Sequence, residues 1–167
     1  MFEKQIRLTG IHADYIRKYS KDKQGENTAF FTLDNNEGKT DNYYVFDSIL
    51  QCYMCAAMIG IIEKRTAAVD NTKTTPANIF AEIVNKNRNN LERIYHHMVL
   101  TTYTDLSIDA RIKKAFSVDK ENEAEEEEKF NSFVRGGLEV INERFTDCKT
   151  FEDLANAIHD LAEDYSI

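Results

Sequence analysis

A single proline and six glycines in 167 residues leave few places where this chain is obliged to turn. That scarcity argues against the turn-rich β folds, whose strands are punctuated by Gly and Pro, and favours long helices. Cations are also in the minority: 21 Lys and Arg face 29 Asp and Glu, for a net charge of −8. Such a balance argues against general binding to nucleic acid or an acidic membrane, which draws on clustered cations and counterion release. No apolar run reaches the roughly 20 residues that a membrane-crossing helix needs. The longest, Ile49 to Ile62, has charged or polar flanks. The opening MFEKQIRLTGIHADY lacks the apolar stretch and small-residue cleavage site of a secretory leader. Of the three cysteines, two sit in the most apolar segment, where free thiols behave as small hydrophobes and suit a reducing compartment. The expectation is a cytoplasmic protein with no membrane association.

What is present points to a mainly α chain, a single-domain bundle of about six helices spanning residues 1–167. The segment Phe46 to Lys64 is apolar on nearly every side, so it reads as a central helix, capped by Asp47 or Ser48 and ending near Lys64-Arg65. Before it, Ile11, Tyr15, Ile16 and Tyr19 mark an amphipathic helix from about Gly10 to Lys21. Ala29 to Leu33 and Tyr43 to Phe46 flank the turn cluster Asp34 to Gly38, which reads either as a small β-hairpin or as a loop pinned by aromatics. After the linker Thr66 to Thr74, Thr75-Pro76 reads as the start of the longest helix, running to about Thr102. Its stripe includes Ile79, Phe80, Ile83, Val84, Leu91, Ile94, Tyr95 and Met98.

Asp105 or Ser107 begins a shorter helix with Ile108, Ile112, Ala115 and Phe116 on one side. Phe130, Phe133, Val134, Gly137, Leu138, Ile141 and Phe145 form the next stripe. Thr150 caps a last helix carrying Phe151, Leu154, Ala155, Ile158, Leu161 and Tyr165 inward. Among the predicted core residues are Ile49, Tyr53, Ala56, Ile59, Phe80, Ile83, Phe133, Leu138 and Ile158. Gly136-Gly137 interrupts a good helical pattern at about 1 kcal/mol per glycine relative to alanine. Gly137 on the stripe, opposite Ala56 and Gly60, predicts a close helix crossing. Gly136 lies off the stripe and with Arg135 reads as a surface patch or kink, so that Gly136→Ala is expected to be mild.

Catalytic signatures are scarce. Cys52-Tyr53-Met54-Cys55 has the CxxC spacing, but no βαβ pattern precedes it and no second pair completes a zinc site, so it reads as core packing and no metal or cofactor is expected. HExxH, paired-carboxylate spacing and a Gly-rich phosphate loop are absent. An all-α bundle with paired Arg and His raises the HEPN-type ribonuclease, whose motif is an Arg followed by four to six residues and a His. Arg93 to His97 leaves three residues between, and Arg88 to His96 leaves seven. A nuclease-like enzyme using Arg93 and His97 stands as the alternative to an accessory protein. The acidic run around Glu125-Glu126-Glu127-Glu128 accounts for most of the net charge; it reads as a solvated helix face or loop, with nucleic-acid mimicry as the regulatory alternative.

Phe133-Val134-Arg135-Gly136-Gly137-Leu138-Glu139-Val140-Ile141, preceded by Glu127-Glu128-Lys129-Phe130, resembles a family of small proteins encoded beside bacterial DNA phosphorothioation (sulfur-modification) defence systems. The likeness extends to Phe46-Asp47 and to Ala56-Ala57-Met58-Ile59-Gly60. The resemblance implies a cytoplasmic accessory or interaction protein that works with a DNA modification or restriction complex, and it implies no catalytic residue. The binding candidates are Arg135, Gly136, Asp47, Arg93 and His97. A homodimer is expected, from the aromatic surplus at Phe30, Phe31, Tyr43, Tyr44 and Tyr103, residues of segments that look peripheral.

Overall fold

The computed structural model describes residues 1–21, 30–34, 40–117 and 122–165. Among these, seven helices and four short strands follow one another as β1 (Ile6–Leu8), α1 (Gly10–Tyr19), β2 (Phe31–Asp34), β3 (Thr40–Tyr43), α2 (Ile49–Glu63), β4 (Ala77–Ile79), α3 (Ala81–Lys86), α4 (Arg88–Thr102), α5 (Ile108–Phe116), α6 (Glu123–Phe145) and α7 (Phe151–Asp164). The mainly α class and the small hairpin on the N-terminal side are therefore present. The hairpin pairs Phe31 with Tyr43 and Asp34 with Thr40. Its turn, and the side chain of Phe31, lie outside the described residues.

The apolar helix α2 is the centre of the bundle and packs most extensively along α6. Ser48 caps its start by accepting the Gln51 N–H at 3.2 Å. Its end turns sharply: Lys64 takes the left-handed conformation at φ 54° and the Arg65 N–H returns to the Gly60 carbonyl at 2.9 Å. A non-glycine residue held there is strained by about 1–2 kcal/mol, so surrounding contacts must hold it. They come from α6. A Cβ added to Gly137 would lie under 3.0 Å from the Ala56 backbone, one added to Gly60 would meet the Phe133 carbonyl, and one added to Gly136 would meet the Arg65 carbonyl. The three glycines thus let α2, the turn that follows it, and α6 approach backbone to backbone. Gly136 is part of this contact, and its reading as a surface patch or kink is corrected: the turn after α2 fills the space over it.

Local propensity loses to tertiary pairing at Thr75-Pro76. Instead of opening a helix, the next residues form β4, antiparallel to β1 with Ile6 opposite Ile79 and Leu8 opposite Ala77. Those four side chains point into the core, while Arg7 and Asn78 point away from it. The predicted long helix is then broken again at Asn87, whose ψ of 12° separates α3 from α4. These two interruptions reset the helical phase, so Phe80 and Ile83 are exposed although Val84, Leu91, Met98 and Val99 are fully buried. Ile158 is also exposed, since α7 buries only Leu154 and Leu161. The other predicted core positions, Ile49, Tyr53, Ala56, Ile59, Phe133 and Leu138, are buried.

Three of the five surplus aromatics have partners within the chain. Phe30 packs on Tyr19 with ring centres 5.1 Å apart, Tyr43 meets Phe151 at 5.7 Å, and the Tyr103 hydroxyl is hydrogen-bonded inside the bundle. The Tyr19 carbonyl accepts from the Val45 and Phe46 N–H groups, which fastens the hairpin to the end of α1. Phe30, Tyr43 and Tyr103 thus pack within the chain, while Tyr44 is half-buried and the side chain of Phe31 lies outside the described residues.

Alanine at Gly60, Gly136 or Gly137 is expected to destabilise the protein by about 1–3 kcal/mol or more, through overpacking against backbone that cannot rotate away. Urea denaturation measures it. A Gly136→Ala variant as stable as the parent, or more stable by the roughly 1 kcal/mol that helix propensity alone offers, would contradict the three-glycine contact.

Candidate functional site

The acidic run lies in the first turns of α6, where carboxylates suit the positive end of the helix dipole. The helical period then sends its members in different directions. Glu125 is exposed, Glu128 pairs with the Arg135 guanidinium one face along, and Glu126 is buried. The run is thus not uniformly solvated: Glu126 is buried, while Glu128 pairs with Arg135 from an exposed position.

Glu126 is the centre of a junction of three helices. Its carboxylate accepts from the Tyr103 hydroxyl at 2.8 and 2.9 Å, from the Tyr95 hydroxyl at 3.1 Å and from the Lys114 ammonium at 2.6 Å. Tyr95 comes from α4, Tyr103 follows its end, Lys114 comes from α5 and Glu126 from α6. One turn further along α6, the Lys129 ammonium sits 3.3 Å from the centre of the Tyr103 ring. Burial is the largest influence on Glu126 and pushes its pKa up, but the bonds from Lys114, Tyr103 and Tyr95 together outweigh it, so the net shift is downward. Both phenols are pushed above their ordinary range, first by burial and then by the Glu126 charge. Lys129 is lowered, by burial first, with its neighbour Lys114 adding to the effect.

Two clefts of about 240 and 250 Å³ flank this junction. The first is walled by Phe2, Tyr95, His96 and Phe116; the second by Lys113, Lys114 and Asn122. The His96 and Phe116 rings meet at a tilt, with centres 4.4 Å apart. The chemistry of the junction is that of a fastener. The carboxylate is ionised and its bonding positions are filled, while the phenols are held as protonated donors, which leaves neither a poised base nor an activated nucleophile.

A second polar cluster ties the loop after α2 to α6 and α1. Arg65 forms a two-pronged contact with Glu143 at 2.5 and 2.7 Å and reaches Glu139 at 3.1 Å. The other Glu139 oxygen lies 3.4 Å from Nε2 of His12. His12 is buried and its pKa is lowered, chiefly by that burial against the opposing pull of Glu139. Its Nδ1 has no partner among the described residues. Further along the loop, Asp70 accepts the Ile11 N–H at 2.7 Å and so caps α1.

The sequence-derived candidates are not assembled into one site. Arg135 is only 6% exposed; its Nε donates to the Ala67 carbonyl at 2.8 Å, so it holds the loop after α2 rather than presenting a patch. Gly136 is buried beneath the same loop. Asp47 is exposed just before Ser48, which takes the capping role. Arg93 is exposed on α4, and His97 is half-buried one turn later, its carbonyl accepting from Thr101 at 2.7 Å. Among the described residues no hydrogen bond or ion pair links Arg93 to His97. Cys52 and Cys55 are free thiols, both pushed up by burial, Cys55 to about 11, as fits residues packed in a core. No group of three or more metal-ligating side chains occurs among the described residues, and no helix there is long and apolar enough to cross a membrane.

Sequence reasoning missed the Glu126 junction and a second feature, the outer face of α5. The spacing places Ile108, Ile112, Ala115 and Phe116 on one side of the helix without saying which way that side faces. Ile108, Ile112 and Phe116 are 67%, 47% and 63% exposed, while Ala115 alone on this helix is buried. The i, i+4, i+8 spacing was visible; its direction was not. The chain matches no protein-family model, and comparison with curated proteins and with solved structures finds no match.

A carboxylate whose folded pKa lies below its unfolded value stabilises the fold above the ordinary carboxylate range, and that contribution is lost as pH falls through the depressed folded pKa. Glu126→Gln is therefore expected to lose about 1–3 kcal/mol of stability at neutral pH. The gap from the parent should narrow as pH drops from the ordinary value of 4.5 through the lowered one. Denaturation curves across pH provide the check, and a gap that stays constant would contradict the ionised, hydrogen-bonded state of Glu126.

Proposed function

We propose that this protein is a non-catalytic accessory or interaction protein that docks on a protein partner through the outer face of α5. The observation that carries this reading is the stripe of Ile108, Ile112 and Phe116, three large apolar side chains left facing solvent on one side of a short helix. Burying a side chain of this kind is worth roughly 1.5–3 kcal/mol, and clustered anchors of this type dominate binding energy at interfaces. The helix that carries them is held in place beforehand. Ser107 caps it, Lys114 is tied to Glu126, and Arg111 donates to the Leu100 carbonyl at 2.9 Å. Ordering the contact surface before binding reduces the entropy lost on association.

The resemblance to proteins encoded beside DNA phosphorothioation systems supplies the partner class: a DNA modification or restriction complex in the bacterial cytoplasm, met through its protein surface rather than its DNA. The net charge of −8 supports that choice. A second copy of the chain is the alternative occupant of the α5 face, and would make a homodimer about a two-fold axis.

The test is gel filtration with light scattering of the purified chain, alone and mixed with a purified phosphorothioation modification complex. The expected result is co-elution with the complex, abolished by the double variant Ile108→Asp/Ile112→Asp at an unchanged melting temperature, since exposed substitutions usually shift stability by less than about 0.5 kcal/mol. Co-elution that persists in the double variant would move the interface off α5. Cleavage of single-stranded RNA or DNA by the chain, abolished by His97→Ala, would replace the accessory reading with an enzymatic one.

A further inference from the structure

A further cleft lies away from both α5 and the Glu126 junction. It has a volume of about 590 Å³ and opens between α2, α4 and α7, within the roughly 300–1,000 Å³ of pockets that take small molecules. Met54, Met58 and Ile62 form its α2 wall, Ile94 its α4 wall, and Ile158 and Leu161 its α7 wall. Two of these, Ile62 and Ile158, remain exposed, so the cleft holds apolar surface that the fold itself does not cover. Methionine side chains are flexible and polarizable and adapt to ligands of varied shape.

The polar groups on its border narrow the choice of ligand. Among the described residues no lysine, arginine or carboxylate lines the cleft. The Tyr165 hydroxyl is already committed, donating to Glu63 at 2.7 Å, and burial followed by that carboxylate pushes its pKa up to about 12. The Asn90 side chain makes no hydrogen bond to the described residues, and its amide is free to donate and to accept. With no cation lining the cleft and Glu63 at its edge, an anionic head would be repelled rather than paired, whereas a neutral hydroxyl, ester or amide would find the Asn90 amide.

We propose that this cleft binds a neutral, chain-like hydrophobic small molecule with a single hydrogen-bonding head, the hydrocarbon lying along Met54, Met58 and Ile94 and the head at Asn90. The site is independent of the α5 face, so either reading stands without the other. α7 forms the outer wall, anchored by Leu154 and Leu161 and by the Arg144–Asp164 pair at 2.6 Å.

Fluorescence of the neutral probe N-phenylnaphthylamine on the full chain, followed by displacement with decanol or with decanoate, tests the proposal. Saturable probe binding is expected, displaced by decanol at a concentration at least about tenfold below that needed for decanoate. Ile94→Trp and Ala162→Phe fill the cleft from two different helices, and each is expected to weaken probe binding by roughly tenfold or more. Two variants guard against one of them misfolding, and each is checked by its melting curve. Absent probe binding, binding undiminished in a folded filling variant, or displacement by decanoate as readily as by decanol would each overturn the proposal.

Discussion

The backbone-to-backbone crossing of α2 and α6 is the contact on which the rest of this protein depends. An apolar helix such as α2 must be covered on several sides, and the coverage on its longest side comes from a helix that carries glycine where it touches. Glycine in a helix interior is unfavourable by about 1 kcal/mol relative to alanine, and two occur in succession on α6. The dispersion and burial gained when the helices close to backbone contact offset that loss. The same approach brings the turn at Lys64 and Arg65 under α6, where Arg135 donates to Ala67 and the Ala67 N–H reaches the Ser132 carbonyl at 3.0 Å. A residue in the left-handed conformation, a buried arginine and two adjacent glycines are thus parts of one arrangement.

With that frame in place, the outlying elements are attached by polar fasteners. The loop after α2 continues to Asp70, which caps α1. At the other end, the start of α6 projects Glu126 between α4 and α5 and ties both through Tyr95, Tyr103 and Lys114. Such a junction orders α5 without burying its outer stripe. The consequence is a rigid helix with an apolar face to solvent, which is the physical basis of the interaction role proposed. α7 is attached more sparingly, and its partial docking leaves the apolar cleft against α2 and α4 open.

Much of this was legible from residue pattern alone. The central helix, its Ser48 cap, the close crossing of Gly137 on Ala56, and the Thr150 cap of α7 follow from side-chain chemistry within a few residues. What was not legible depends on distant partners. Thr75-Pro76 has every local mark of a helix start, and only the presence of Ile6 to Leu8 turns the next residues into a strand. Periodicity finds a stripe but not its direction, and so it groups Ile108, Ile112 and Phe116 on one side of α5 without revealing that this side faces solvent. The Glu run hid its buried member, because nothing in four identical residues distinguishes Glu126 until Tyr95, Tyr103 and Lys114 are folded around it. Arg135 looked like a surface cation because charge is usually exposed, and its burial is understood only once the Ala67 carbonyl and Glu128 are seen to satisfy it.

Amide hydrogen exchange of the native protein tests the primacy of the α2–α6 crossing most directly, since the elements on which a fold depends open only with global unfolding. The account predicts that the slowest-exchanging amides lie in α2 from Cys52 to Gly60 and in α6 from Phe133 to Ile141, with α5 and α7 exchanging through smaller openings. Protection in α4 or α5 that equals or exceeds that of α2 and α6 would contradict it.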